Sequence, residues 1–491
     1  MSHPLERIAD KSAPTAKSKQ RHLYEHYLSD IRSGRLPPGT RLPSSRQLAD
    51  QLGLSRITVQ SVYEALIAEG YLTTRQGAGT FVISPPGGLF VPTTLEPSIE
   101  APALLAAGHA GERPERLDNA FPKRLERTNS RFLPANPDLE AFPYTKWRKC
   151  YRAALNQTAH FRYPPLSGSR ALQEQIAEYL GRYRGVVCRP EQVMIATGSQ
   201  QALYLILQLI AHPDSLILLE PAGFAGVDQI LALNKMRTEV VDFHKEDHSA
   251  WSSEADIAII TPSRSFPLGE TLGLDARNQI LEWVTQGSRQ RWIVEDDYDS
   301  EFIFSGHAMA ALQGMDRHKR VIYTGTFSRT LFPGIRLGYA VFPDSLIESA
   351  LKLKAVMDGG MNTLAQTALA LFMEEGHYER HLRRMRKHYQ AKQTQLHQSL
   401  AKHLPELKQI PNQGGMHDTF LIDKALGLTD LAIVEAAKEH GFGLRALSTY
   451  YRTPNPPNGL VIGFAGCDKD QIPESARALS ALIRHLQTQT E

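Results

Sequence analysis

Cysteine is scarce. Cys150, Cys188 and Cys467 are the only three in 491 residues. They are far apart, without CxxC spacing or a neighbouring histidine pair, so neither a disulfide framework nor a zinc site is suggested. Long apolar runs are missing too. No stretch reaches the roughly 18 apolar residues of a membrane helix, and the opening MSHPLERIADKSAPTAKSKQ has no apolar segment that could serve as a signal peptide. A cytoplasmic protein with no membrane partner and no metal is therefore expected. Nor does one sign of charge dominate: the net charge is +3, with 22% charged and 42% hydrophobic residues, the balance of a globular protein. The excess is local. Residues 17–84 hold nine Lys or Arg against five Asp or Glu, leaving the rest at −1, and a small basic segment suits an anionic partner. At roughly 100 to 200 residues per domain, the length predicts two to four units.

Within the basic segment, Leu23, Tyr27, Leu28 and Ile31 recur at three- and four-residue steps, which predicts one helix, stopped by Gly34 and Pro37-Pro38-Gly39. Next, Ser44 caps a short helix carrying Leu48, Ala49 and Leu52, and Gly53 breaks it. Ser55 caps a third helix with Val59, Val62 and Leu66 on its buried face, leaving Arg56, Thr58 and Gln60 toward its exposed N-terminal end. Two short helices joined by a glycine turn make a helix-turn-helix. After Gly70, YLTTRQGAGTFVIS reads as two strands around a glycine-bearing tip, Arg75 to Gly79, which is a wing.

The run LPSSRQLADQLGLSRITVQSVYEALIAEGYLTTRQGAGTFV resembles the winged-helix domain of the GntR family of bacterial regulators. The resemblance implies binding to double-stranded DNA through Arg46, Ser55, Arg56, Thr58, Gln60 and the wing residues Gln76 and Gly77. Their chemistry agrees: arginine grips phosphate or the guanine edge, hydroxyls at a helix start reach phosphate oxygens, and a glycine tip can enter a minor groove. Where some relatives carry arginine this chain has Gln60, which weakens the phosphate grip there.

From 85 to 128 the chain is rich in Pro, Gly, Ala and charge with no sustained periodicity, and is expected to be a flexible linker. The winged helix-turn-helix is accordingly assigned to 17–84 and a large domain to 129–491. In the latter, short apolar strands at 193–197, 215–220, 257–260, 291–296 and 321–326 alternate with helical stretches, which predicts an α/β domain around a mixed or parallel sheet.

The segments following these strands, notably ATGSQQAL, LEPAGFAG, TPSRSFPLG, VEDDYDSEF and TGTFSRTLFPGIRLGY, resemble fold-type I pyridoxal-phosphate aminotransferases. Together with the GntR-like module, the chain is identified as a member of the MocR subfamily, regulators that use an aminotransferase body to sense pyridoxal phosphate or a related amine or anionic effector. The resemblance implies a homodimer and a cofactor site. Ser199 and Gln200, opening a helix, would meet the phosphate with free N–H groups, with Thr326, Ser328 and Arg336 completing its cradle. Phe224, usually tyrosine in the family, would stack on the ring, Asp296 would hold the ring nitrogen, and Tyr298 would reach the ring hydroxyl.

One position departs sharply. After Ser328 the family has the lysine that forms the Schiff base; this chain has Arg329, whose guanidinium stays protonated and is a poor nucleophile. The family's TPSHQFPTG is altered as well, so that Arg264, Ser265 and Leu268 enter, and Val461 stands near the place of a carboxylate-gripping arginine. Catalysis and covalent attachment are thus not expected. Three readings stay open: pyridoxal phosphate or its amine form held without a covalent bond; another anionic effector on Arg264, Arg329 and Arg336; or an empty relic. The competing function is an active aminotransferase, opposed by the missing lysine; a DNA-binding protein with no ligand is the third.

Overall fold

The computed structural model describes residues 16–83, 130–245, 249, 251–306 and 309–490, so the expected linker lies outside the described residues. The chain divides into two compact units, Met1–Glu112 and Arg113–Glu491.

The first unit holds α1 (Ala16–Arg32), α2 (Ser45–Leu52), α3 (Arg56–Ala68), β1 (Leu72–Arg75) and β2 (Gly79–Val82). Its core is built from the positions that the periodicity selects. Leu23, Tyr27 and Ile31 of α1 pack with Leu48 and Ala49 of α2 and with Val59, Val62, Tyr63 and Leu66 of α3. Each fully buried aliphatic side chain among them contributes about 1.5–3 kcal/mol. Ser44 caps α2 in a reciprocal box with Gln47, and Gly53, in the left-handed region at φ 62°, ends it. The two strands pair antiparallel from Leu72↔Val82 to Arg75↔Gly79, closing the hairpin tip at 76–78.

The second unit opens with α4 (Tyr144–Leu155) and α5 (Arg170–Arg184) and continues through β3 (Val193–Ala196), α6 (Ser199–Ile210), β4 (Leu216–Leu219), α7 (Ala225–Leu233) and β5 (Arg237–Val240). Then come β6 (Ala255–Ile260), α8 (Leu274–Trp283), β7 (Trp292–Asp297), α9 (Leu312–Met315), β8 (Val321–Thr326) and β9 (Gly338–Val341). These seven strands form one sheet in the order β3-β9-β8-β7-β6-β4-β5. The strands from β8 to β5 run parallel, while β9 is antiparallel to both β3 and β8, so the sheet is mixed. Apolar side chains bury both faces, as in Ile217, Ile257 and Ile293, each fully buried.

Helices α10 (Asp344–Asp358), α11 (Leu364–Glu374) and the long α12 (His377–His403) lead to β10 (Leu407–Gln409), β11 (His417–Ile422), α13 (Asp430–Glu439), β12 (Arg445–Ala446), β13 (Gly459–Gly463) and α14 (Ile472–Thr490). The last four strands make a separate antiparallel sheet, β10-β11-β13-β12, which the sequence pattern does not separate out. Its strand β11 buries His417, Asp418 and Thr419 completely, so no apolar alternation marks it. Strand β5 escapes the sequence reading for the opposite reason: RTEV is an edge strand with exposed side chains. Among the described residues, no helix is long and apolar enough to cross a membrane.

Candidate functional site

In the first unit, the proposed DNA contacts gather at the start of α3, the start of α2 and the hairpin tip. Ser55 is the N-cap of α3: its hydroxyl accepts from Thr58 N at 3.1 Å and pairs with Thr58 Oγ1 at 2.8 Å. Arg56 follows as the first helical residue, exposed, and Arg46 is exposed in the first turn of α2; no described residue pairs with either guanidinium. Gln60 is also exposed, but its Nε2 donates to Glu64 at 3.1 Å and must leave that partner to reach a base. Gln76 and Gly77 sit at the tip, Gly77 with φ 75°, a conformation that favours glycine.

In the second unit the residues expected to hold the cofactor lie at the carboxyl ends of parallel strands and on the turn after β3, where open α/β sheets bind ligands. Gly198, at φ 108°, is the N-cap of α6 and presents Ser199 and Gln200 as its first residues. The backbone there is crowded: a Cβ on Gly338 would lie 2.8 Å from Gly198 Cα and 2.9 Å from Ser199 N. Arg336 reaches this same turn, donating from Nη2 to the carbonyl of Thr197 at 2.8 Å. Thr326 ends β8, and its hydroxyl accepts from Ser328 N at 3.2 Å. These groups converge on one helix start, where backbone N–H groups favour an anion.

Asp296 lies near the end of β7, buried. Burial pushes its carboxyl up from 3.8 to about 7, helped by Asp297 and Glu220 and opposed by Arg329. Its Oδ1 is fully buried without a hydrogen-bond partner, and so is Ser328 Oγ. Buried polar atoms normally find partners, so two such orphans, one on the residue before Arg329 and one on the carboxylate that Arg329 acts on, suit a polar ligand with a ring nitrogen and a phosphate. Phe224, the N-cap of α7, meets Phe266 edge-on at 6.3 Å, and Phe266 in turn meets Tyr298 at 5.6 Å. Gln200 turns its side-chain amide to the carbonyl of Gly226 at 3.2 Å, beneath Phe224.

The arginines divide. Arg264 is fully committed to the fold: Nε donates to Gly414 O at 3.0 Å, Nη2 to His417 O at 2.9 Å, and Nη1 to Tyr298 Oη at 2.9 Å and Asp299 at 3.2 Å. This departs from the expectation that it grips an effector: the turn at 414–417 takes two of its five N–H donors, and Tyr298 and Asp299 take two more. Arg329 instead donates to the carbonyl of Ala135 and bears electrostatically on Asp296, Tyr298 and Asp299, placing a fixed cation beside the pocket carboxylates.

Residues 19–82 match the gntR family of bacterial regulatory proteins, and residues 135–479 match aminotransferase class I and II. The chain is 33% identical to a probable rhizopine catabolism regulatory protein, MocR, of Rhizobium meliloti, over 98% of this chain and 96% of that protein. The chain belongs to the MocR group of GntR-type transcriptional regulators. A second relative is the HTH-type pyridoxine biosynthesis transcriptional regulator PdxR of Corynebacterium glutamicum, 28% identical over 90% of this chain and 91% of that protein. Among solved structures, the second unit matches the α-aminoadipate aminotransferase LysN of Thermus thermophilus, complexed with N-(5′-phosphopyridoxyl)-L-leucine. The TM-score is 0.65, at 26% identity, covering 73% of this chain and 92% of that one. A kynurenine aminotransferase of Pyrococcus horikoshii shares the fold at TM-score 0.64 and 24% identity, covering 72% of this chain and 90% of that one.

Two residues of this MocR-type chain escape the sequence reading. Ile57 is 80% exposed in the first turn of α3, beside Arg56, where an apolar side chain can meet a thymine methyl. Its helical angle, off the stripe of Val59, Val62 and Leu66, is the available signal. Arg445, half-buried on β12, pairs in register with Val461, which the resemblance puts near the place of a carboxylate-gripping arginine. Arg445 and Arg329 both lie close enough to the buried Tyr450 hydroxyl to offset part of the burial that raises it.

Proposed function

We propose that this chain is a DNA-binding regulator whose second unit holds pyridoxal phosphate, or a compound formed from it with an amine, by non-covalent contacts, and performs no amino transfer. The single observation that carries the reading is the pair of orphaned buried atoms, Asp296 Oδ1 and Ser328 Oγ, in a pocket where Arg329 follows Ser328. The Ser199 and Gln200 amides, the Thr326 and Ser328 hydroxyls and the Arg336 fork would receive the phosphate, Asp296 the ring nitrogen, and Phe224 the ring face. Tyr298 accepts from Arg264, and its own O–H would be shared between the Asp299 carboxylate and a ring hydroxyl. When bound, the cofactor supplies an electron sink. This pocket offers no amine at position 329 to use it: the guanidinium keeps its protons and orients Ala135 and the nearby carboxylates instead. Arg445 gives a second cation for an anionic tail on the effector.

A homodimer in the cytoplasm is part of this reading. Phe161 and Tyr163 are 87% and 99% exposed on one short segment, aromatic area that a partner subunit would cover. Added pyridoxal phosphate should bind the purified protein, leave on dialysis, and bind about tenfold more weakly to an Arg336→Gln variant. A protein that fails to bind pyridoxal phosphate or pyridoxamine phosphate overturns the cofactor reading, and a monomer by sedimentation at micromolar concentration overturns the dimer.

A further inference from the structure

Away from the pocket just described, Pro143 and Lys146 of the α4 start and His377, Arg380, His381 and Arg384 of the α12 start line a cleft of about 400 Å³. None of the six is acidic. Some exposed arginines elsewhere on this unit have carboxylate partners, as with Arg170–Glu174, Arg182–Glu178, Arg189–Asp344 and Arg484–Glu406, while others such as Arg148 and Arg162 have none among the described residues. Here, among the described residues, Lys146, Arg380 and Arg384 have none. The guanidiniums are pinned by neutral groups: Arg380 Nη2 donates to Glu375 O and to His377 Nδ1 at 2.6 Å, and Arg384 Nη2 to Ala141 O. Glu375 is the neighbouring acid, and its carboxylate is taken by Lys149 at 3.2 Å and His377 at 3.1 Å.

Gathering Lys146 and Arg380 in the first turns of two helices, with Arg384 one turn further along, works against their mutual repulsion and, for the first two, against the positive ends of the helix dipoles, which favour anions there. The imidazoles beside them stay neutral more readily: burial, with Arg380 adding to it, holds His377 below its ordinary range, and burial brings His381 down to about 4, opposed by the Thr330 carbonyl and aided by Arg384. An anion in the cleft would offset the repulsion among the cations. Two arginines pinned on different carbonyls, with a lysine in the same lining, suit the several oxygens of a phosphate group better than a single carboxylate.

We propose that this cleft is a second anion site, taking phosphate oxygens on Lys146, Arg380 and Arg384. It does not depend on what the first pocket holds. The phosphate belongs either to a small free anion or to the backbone of bound DNA, and one variant separates the two. In the full-length protein, Lys146→Gln/Arg380→Gln/Arg384→Gln should lower affinity for inorganic pyrophosphate about tenfold or more by calorimetry. The measurement is made in an Arg336→Gln background, so that binding at the first pocket is weakened equally in the parent and the triple variant and the difference reads the cleft. The exposed Arg182→Gln variant should leave the affinity unchanged. If DNA is the source, the triple variant also binds a long random-sequence duplex more weakly, with a salt dependence reduced by up to about three phosphate contacts. If the source is a free anion, duplex binding and its salt dependence stay as in the parent. Unchanged pyrophosphate affinity together with unchanged duplex binding overturns the proposal; a folded state intact by circular dichroism keeps either result interpretable.

Discussion

The guanidinium of Arg264 donates to the hydroxyl of Tyr298 at 2.9 Å and, from the same nitrogen, to the Asp299 carboxylate at 3.2 Å. Both ions of the Arg264–Asp299 pair are nearly inaccessible, with side-chain exposures of 5% and 1%. An arginine in this setting organises the pocket wall: four of its five N–H donors are taken by Gly414 O, His417 O, Tyr298 and Asp299.

Removing one partner of a buried pair strands the other charge, a loss of about 3–5 kcal/mol. Arg264→Gln should therefore lower the thermal midpoint of the second unit by many degrees. Asp299, raised to about 6 by burial with Arg264 holding it down, should lose its remaining charge near neutrality. An Arg264→Gln protein that melts like the parent but loses ligand binding would make Arg264 an effector ligand after all.

Asp296 predicts a pH dependence. Its folded value, about 7, lies above the ordinary 3.8, so the ligand-free fold holds the proton more tightly than the unfolded chain does. The associated stability is fully present below about pH 4 and is lost as pH rises toward about 7. Glu220, Glu295 and Glu301, each raised to about 7 by burial, act in the same direction, so the test is a difference. The Asp296→Asn protein, without ligand, should gain in melting temperature relative to the parent between pH 5 and pH 8, while losing affinity for pyridoxal phosphate. A difference that does not vary with pH would mean that Asp296 ionises as freely as a surface carboxylate.

On the DNA module, Arg56 and Ile57 are neighbours with separable effects. Arg56→Ala should weaken duplex binding at every sequence and reduce the salt slope by about one. Ile57→Ser should leave the salt slope alone and reduce discrimination between sites, by about 1–3 kcal/mol at the base pair it meets. Competition binding with specific and random duplexes over a range of salt reads both. Equal loss of slope in the two variants would contradict this division.

What the sequence could reveal follows from local causes. Capping by Ser44 and Ser55, the stripe Val59, Val62 and Leu66, and the apolar strands of the large sheet depend on neighbours a few residues away, and periodicity displays them. The small sheet was hidden because β11 buries polar side chains whose partners are distant: Asp418 accepts from Gln393 and Asn412, and Thr419 donates to Pro267 O. The same distance concealed the fate of Arg264, whose partners lie up to 153 residues away. Arg445 and Val461 share a site only because two strands pair, a relation that no spacing in one sequence announces.

Arg329 offers the sharpest test of the cofactor reading. Its Nη1 donates to Ala135 O, and its charge lowers Asp296, so the side chain already contributes to the fold where a reactive amine would stand. A guanidinium cannot shed its proton near neutral pH and cannot form a carbon–nitrogen bond with an aldehyde at useful rates. Borohydride treatment of the parent with pyridoxal phosphate should thus leave position 329 unmodified by peptide mass spectrometry. Lysine is shorter and loses the bond to Ala135, about 1 kcal/mol of stability, but brings an amine that can deprotonate. If the rest of the pocket is arranged as proposed, Arg329→Lys should gain a new absorbance band with pyridoxal phosphate and become reducible to a stable adduct at residue 329. Retention on dialysis should rise with it. Amino transfer need not return, because Val461 still stands where many aminotransferases carry a carboxylate-gripping arginine. A lysine variant that binds the cofactor no better than the parent and gives no adduct would show that position 329 does not face the aldehyde. A parent that carries a reducible adduct on some other lysine would show the same, and would overturn the non-covalent assignment as well.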